Sequence, residues 1–549
     1  MRHVRKMDVL NDAIVSLLTS RLGNEAEISV PDSPIEGTEG FEQPVVCTVT
    51  VKSRRAIQTL IHLANEVASR ATRFTLYPIS TGQNWGYGSA TPNFSDKPVV
   101  LLSLIELNEI TYFDPNTGLC SIEPGVTQQQ LFTYLEENNY PFMVPVTGAG
   151  PSCSILANAL ERGYGITPIA DHFSAITRVE GVLPNGDYYT SSLSAMDKSD
   201  AQLVDKAFKW KHGPYLDGLF TQSGNMVVTE VSLSLARRPA GFDSFYLRFY
   251  GDASFERAYE SIQQLYCCLH GVVGGINLMD KSRVSAMVAD NPQGRDKHAV
   301  MSESQKNALS DAHDIPEWTV VGTLYGSKGI VEAAKKEVKR TVKGLADKCF
   351  FSNSLLIKSV KHVCSLLPSH YLTPVRKQLD SLTAATEIML GKPNQIALPL
   401  AYWRNPSYTA EAGKTLHPAK DKCGLLWYAP LIPANKDAMT SFIDMVRSTT
   451  VKYNIEPLIT FTHMSAHNID STVPIIFDLT NEKAKADAHA CLDALFAEGV
   501  KRGFVPYRLN IKQQRQLDKN AVCWQTAGKI AKALDPNAVL SPTRYNPLS

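Results

Sequence analysis

The stretch FTLYPISTGQNWGYGSATP, residues 74–92, constrains this chain more than any other. Its first part, apolar, aromatic and β-branched, reads as a strand. It runs straight into a loop that sets Gly82, Gly86 and Gly88 around Asn84, Trp85 and Tyr87. An ordinary turn needs one or two such residues. A loop whose backbone must press against a large ligand needs more, because glycine alone brings no Cβ. The strand is therefore expected to end at a ligand.

The surroundings narrow the fold class. VVCTVTV (45–51), VVLLSL (99–104) and CSIEPGV (120–126) read as strands, and 54–70 and QQQLFTYLEENN (128–139) as helices. Ahead of them, MRHVRKMDVLNDAIVSLLTSRLG reads as an amphipathic helix, its apolar part broken by Asn11 and Asp12 in a way that a signal segment is not. Residues 24–44, rich in Pro, Gly, Glu and Ser, read as a connecting arm. RRPAG (237–241) marks a boundary, and FYLRFYG (245–251) with a helix over 254–270 opens a second mixed region. A chain of 549 residues is too long for one core. The expected division is a helix and arm over 1–44, a first domain over 45–237, a second over 238–500, and a compact closing segment over 501–549.

Several function classes fall away. Lys and Arg number 55 against 54 Asp and Glu, so no broad basic face for nucleic acid is expected. No run of about 18 apolar residues marks a membrane span. The ten cysteines are scattered without a metal-type double pair, and read as reduced thiols in a cytoplasmic protein. The G-x-G-x-x-G fingerprint does not occur in full, and GTLYGSK (322–328) is one residue short of a P-loop. His463 and His467, in FTHMSAHNID, are four apart on a strand entering a loop. Side chains so placed stand about 13 Å apart, so no metal is expected.

Three further segments share the character of the opening loop: VPVTGAGPSCSILANALERGYGITP (144–168), YLDGLFTQSGNMVVTEVSL (215–233) and ALDPNAVLSPTRYNP (533–547). Turns of this kind can form anion-binding nests beside apolar residues that sandwich a flat ring. Together and in order, STGQNWGYG (80–88), EPGV (123–126), NALERGYGITP (158–168), GPYLDGLFTQSG (213–224) and LDPNAVLSP (534–542) resemble the FAD-linked family of vanillyl-alcohol oxidase and p-cresol methylhydroxylase. CGLLWYAPLIP (423–433) carries the likeness into the second region.

The resemblance implies an α+β fold: a PCMH-type FAD-binding domain of two subdomains, completed by the C-terminal segment, under an α+β cap over the flavin. It places Ser80, Thr81, Gly82, Gln83, Asn84 and Trp85 at the FAD diphosphate. Thr147, Gly148, Ser152, Asn158, Gly163, Gly165, Gly224, Val228 and Arg544 fall where the family lines the cofactor. It implies oxidation of a para-substituted phenol or related aromatic compound by hydride transfer to flavin N5, with oxygen or a protein as electron acceptor, in a homodimer. Tyr87, Tyr507 and Arg508 match the family's phenolate-binding trio. That chemistry is sound, since a buried phenolate needs strong donors and a fixed charge. Trp427 falls where an aromatic shapes the substrate pocket, and His463 and His467 lie on a segment that could line its cap side.

Two departures accompany the likeness. Leu425 stands where vanillyl-alcohol oxidase has the histidine that attaches flavin, so the FAD is expected to be non-covalent or linked elsewhere. Ala149 stands near the position of the oxidase's acid beside N5. Two other functions stay open at this point: a non-redox FAD-dependent transferase, and a flavin-binding protein without catalysis.

Overall fold

A parallel strand pair decides where the glycine loop begins. The computed structural model describes residues 2–92, 95–353, 373–409, 413–467 and 469–548. Its first sheet joins β1 (Ala26–Ser29), β2 (Cys47–Val51), β3 (Thr75–Ile79) and β4 (Val99–Ser103) in the order β1-β2-β4-β3. β2 and β3 each run parallel to β4. Parallel strands are stable when their faces are covered, and the helix Arg54–Glu66 helps to cover them. Ser53 starts it by accepting from the Ala56 N–H at 3.1 Å. Its Ala56, Ile57, Leu60 and Ile61 share one core with Val49, Val100 and Leu102 of the sheet. Ile14, Leu18 and Leu22 of the helix Arg2–Leu22, spaced by one turn each, join that core. The arm over 24–44 holds more structure than expected, because β1 pairs antiparallel with β2 and covers its edge.

The second sheet joins β5 (Ile110–Phe113), β6 (Leu119–Ile122), β7 (Ile176–Val182), β8 (Tyr188–Tyr189) and β9 (Val227–Ser234), antiparallel, in the order β8-β7-β9-β6-β5. Every residue of β7 is buried. Covered on both sides, it shows no alternation of burial. Arg178 of β7 is held there by Glu180, 3.2 Å away, and by Glu230 of β9.

The third sheet is the largest. It joins β10 (Gly241–Phe249), β11 (Val273–Asp280), β12 (Trp318–Gly326), β13 (Lys348–Ser352), β14 (Cys423–Tyr428), β15 (Pro430–Ile432), β16 (Thr460–His463), β17 (Ile469–Asp478) and β18 (Val505–Pro506). The order is β13-β10-β12-β11-β16-β17-β15-β18, and β14 pairs with the far end of β17. Helices Ser254–Cys268, Lys328–Thr341, Lys436–Thr450 and Glu482–Lys501 cover one face, where Phe245, Ile276, Phe461 and Ile469 meet Phe442 and Leu492. Alternation sends Asn277, Thr462 and Asp470 to the other face. On that side Tyr325 Oη donates to the carbonyls of Ile166 (3.2 Å) and Met389 (2.7 Å), so this face turns toward the glycine-rich half.

The segment 501–549 serves both halves. β18 closes the third sheet. Beyond the helix Val522–Leu534 the chain returns beside β3, where the Leu76 N–H donates to Val539 O (2.8 Å) and the Ser541 N–H to Leu76 O (2.9 Å). The whole is an α+β fold.

Candidate active site

β3 ends at Ile79, and the chain then borders a cleft. Ser80, Thr81, Gly82, Gln83 and Asn84 line one side. Asn158, Gly224, Val228 and Arg544 line it from three other segments. Gly82 sits at φ +67°, in the left-handed region where a side chain strains the backbone. Thr81 Oγ1 is buried in the cleft wall with no partner among the described residues, a hydroxyl in need of one. Phe220, Met226 and Val228 give the cleft an apolar wall, and Arg508 and Arg544 a positive one. A polar loop, two cations and an apolar slot in one cleft fit the diphosphate and flat ring of FAD.

The other six residues expected at the cofactor stand outside the cleft lining. Trp85 Nε1–H donates to Ala149 O at 3.0 Å. Thr147 is turned to Gln128, accepting from its Nε2 at 3.0 Å and donating its N–H to its Oε1 at 3.1 Å. Gly148 backs onto Ala397, and Ser152 is half-buried on the following turn. Gly163 and Gly165 lie behind Asn158 and His172, which fill the space that side chains there would need. Asn158 Nδ2 donates to His172 Nδ1 at 2.7 Å, which leaves the ring proton on Nε2. Burial lowers His172 to about 4, so the ring is neutral.

Tyr87, Tyr507 and Arg508 are brought together from opposite ends of the chain. The two hydroxyls are 3.5 Å apart, and the Arg508 guanidinium stands 4.3 Å from the centre of the Tyr87 ring. Backbone contacts fix them. The Tyr507 N–H donates to Ala429 O (3.2 Å), Gln222 Nε2 to Tyr507 O (3.2 Å), and the Ile511 N–H to Tyr87 O (3.3 Å). Arg508 Nη2 donates to Ser89 Oγ at 3.0 Å, and its Nε lies 3.2 Å from Glu161 Oε2. Glu161 also holds Arg544.

The electrostatics follow from this packing. Burial opposes the charges of Glu161 and both arginines, but their mutual attraction wins. Glu161 is held below the ordinary carboxylate range by Arg544 and then Arg508, and both guanidinium groups are held above theirs. Two cations against one carboxylate leave a net positive charge at the cleft. Burial also raises the phenols, Tyr87 well above its ordinary value and Tyr507 to about 12. Both keep their protons at neutral pH. Glu161 and His172 escaped the sequence reading. The signal for Glu161 was a charged residue inside the glycine-rich NALERGYG, but beside Arg162 it reads as half of a surface pair.

Trp427 locks the glycine loop to the third sheet. Its Nε1–H donates to Trp85 O (3.0 Å) and its N–H to Gly86 O (3.2 Å). Gly86 has φ +85°, and a Cβ there would fall 2.2 Å from Trp427 Cδ1, so only glycine permits this approach. His463 and His467 are not gathered with the tyrosines. His463 shares its register row with Ile276 and Ile469, on the helix-covered face; alternation along the strand points its ring away from the cleft. Burial lowers it to about 4. His467 is exposed on the turn beyond. Leu425 lies buried in one apolar cluster with Trp85, against which Ala149 packs.

Comparison with known proteins adds to this geometry. The family described as FAD binding domain matches residues 45–192. The chain is similar to 1'-carboxy-chondrochloren decarboxylase of Chondromyces crocatus, with 30% identity over 477 residues and 86% of each chain covered. It is similar to the flavoprotein subunit of 4-cresol dehydrogenase [hydroxylating] of Pseudomonas putida, with 26% identity over 518 residues, 93% of this chain and 89% of the relative. Its fold is similar to that of p-cresol methylhydroxylase with substrate bound, with a TM-score of 0.81 at 23% identity, over 97% of this chain and 96% of the other.

Proposed function

The chain belongs to the FAD-linked oxidoreductase family of vanillyl-alcohol oxidase and p-cresol methylhydroxylase, and from that premise we propose that it oxidises a para-substituted phenol at the benzylic carbon. The observation that carries this reading is the Tyr87–Tyr507 hydroxyl pair beside the buried Arg508. Both tyrosines keep their protons, so each offers an O–H donor to a substrate oxygen. Arg508 cannot be titrated away, so it gives that oxygen a permanent counter-charge in a dry setting. A substrate bound as phenolate pushes electron density to its para carbon, which weakens the benzylic C–H bond. When bound, FAD supplies the two-electron acceptor for that hydride. Ser80 to Asn84 would hold its diphosphate, and Gly224, Val228 and Arg544 would line its site. Leu425 has no nucleophilic atom, which supports non-covalent binding.

The decarboxylase at 30% identity favours a second reading on the same clamp. Oxidation at the benzylic carbon turns the phenol into a quinone methide. If the neighbouring carbon carries a carboxylate, its C–C bond breaks and CO2 leaves. The bonding pair forms the side-chain double bond and restores the phenolate ring. Both readings need Tyr87, Tyr507 and Arg508, and differ in the para substituent. Two electron acceptors also stay within the proposal, oxygen and a protein carrier; the flavoprotein-subunit relative favours the carrier.

Arg508→Leu is the test. It is expected to keep FAD while turnover of 4-alkylphenols, or CO2 release from their β-carboxylated analogues, falls at least a hundredfold. Turnover near that of the unaltered enzyme would refute the clamp.

A further inference from the structure

The face of the third sheet that turns away from its helices carries one row in register. Asn277 of β11 stands opposite Thr462 of β16, Thr462 opposite Asp470 of β17, Asp470 opposite Leu431 of β15, and Leu431 opposite Val505 of β18. Tyr507 follows two residues later. Asp470 is 0% exposed, and neither of its carboxyl oxygens has a hydrogen-bond partner among the described residues. A bare carboxylate in such a place is costly, and buried polar groups are normally paired. No residue of its row satisfies it. Its influence reaches the candidate site, because a charge on Asp470 would raise both Tyr507 and Tyr87.

Among the described residues, two titratable groups feel its charge: Tyr87, from the glycine loop, and Tyr507, from the segment after β18. His463, on the neighbouring strand, belongs to the opposite face. Arg508 is already held by Glu161 and Ser89. Burial holds the Asp470 carboxyl well above the ordinary range, and a carboxylate with neither oxygen paired is costly in that place. Beside a bound phenolate, an ionised Asp470 would repel and a neutral one can donate. A carboxylic acid kept neutral by an apolar site can serve an oxyanion together with a tyrosine.

We propose that Asp470 is a third hydrogen-bond donor of this site, a carboxylic acid that keeps its proton and gives it in a hydrogen bond to the oxyanion held by Tyr87 and Tyr507. The inference rests on the phenolate reading above and adds a residue to it. It also sets an alkaline limit, because loss of the Asp470 proton replaces a donor with a like charge.

The test is a titration of the FAD-loaded enzyme with 4-nitrophenol, whose phenolate absorbs in the visible, from about pH 6 to about pH 10. Asp470→Asn keeps an N–H donor and cannot ionise; it is expected to bind the phenolate within about threefold of the unaltered enzyme at pH 7. Asp470→Leu has no donor and is expected to bind about tenfold more weakly or worse. At alkaline pH the unaltered enzyme should lose affinity relative to the Asn variant, by up to about tenfold per pH unit beyond the ionisation of Asp470. Taking that ratio cancels the ionisation of the ligand itself. A Leu variant with normal flavin content and undiminished affinity would overturn the proposal, as would a ratio that stays flat with pH. If the Leu variant fails to hold FAD, the ratio alone decides. Failure of the unaltered holoenzyme to bind the phenolate at all would sink the phenolate reading itself.

Discussion

Glu161 shows how one carboxylate can organise a site built of cations. It meets Arg508 at 3.2 Å and also Arg544, and without it two guanidinium groups would face one cleft unpaired. Its folded pKa lies below the ordinary value. It therefore stabilises the fold above the ordinary carboxylate range, and that stability is lost as pH falls through the lowered folded value. Glu161→Gln is expected to cost about 3 kcal/mol at pH 7, as for other broken buried pairs. The gap to the unaltered protein, read by thermal unfolding, should narrow below about pH 4. A gap that ignores pH would mean that packing, and not charge, holds the arginines. At this scale the family resemblance pointed to Tyr87 and to Tyr507-Arg508, because they fall at the matching positions of its motifs. It was silent on Asp470, an acid in an otherwise ordinary strand, whose meaning comes from having no partner among the described residues.

Among the elements, the returning C-terminal stretch is the one that the cleft depends on most. Val539 to Ser541 lie beside Leu76 at the edge of β3, and Leu540, Ser541 and Arg544 form part of the cleft wall. Ending the chain after Asp535 would strip that edge and remove one of the two cations. Such a protein is expected to keep its helical signal in circular dichroism and to lose flavin on gel filtration, read as absorbance per chain. Full flavin content would show that β3 and the glycine loop suffice. The helix Arg54–Glu66 was legible because its apolar residues recur with the helical period and Ser53 caps it. β1 was not. A four-residue edge strand in a Pro- and Gly-rich arm takes its conformation from the partner it pairs with, and that partner is 19 to 25 residues away.

For the whole molecule, the cleft is lined by the glycine-rich half, by the C-terminal return and by Arg508, which follows the last strand of the third sheet. Trp427 fastens the loop to the sheet, and Tyr507-Arg508 comes from the end of that sheet. Leu425 lies buried among apolar neighbours and has no nucleophilic atom to offer a cofactor. Acid precipitation of the purified protein is expected to leave FAD in the supernatant. A yellow pellet would mean that another side chain makes a covalent bond to the flavin.

The sequence by itself determined the family and singled out the loop as a candidate site, because both rest on local patterns: glycines where a backbone must turn or approach closely, and short motifs in a set order. Tertiary structure alone decided which of those residues line the cleft and which stand behind it. Thr147, Gly163 and His463 looked as eligible as Gly82 or Asn158, yet one is tied to Gln128, one packs behind Asn158, and one faces the helix-covered core. Charge balance was likewise invisible in the sequence. The pairing of Glu161 with Arg508 and Arg544, and the isolation of Asp470, depend on which distant groups meet in a dry space, and local pattern carries no record of that.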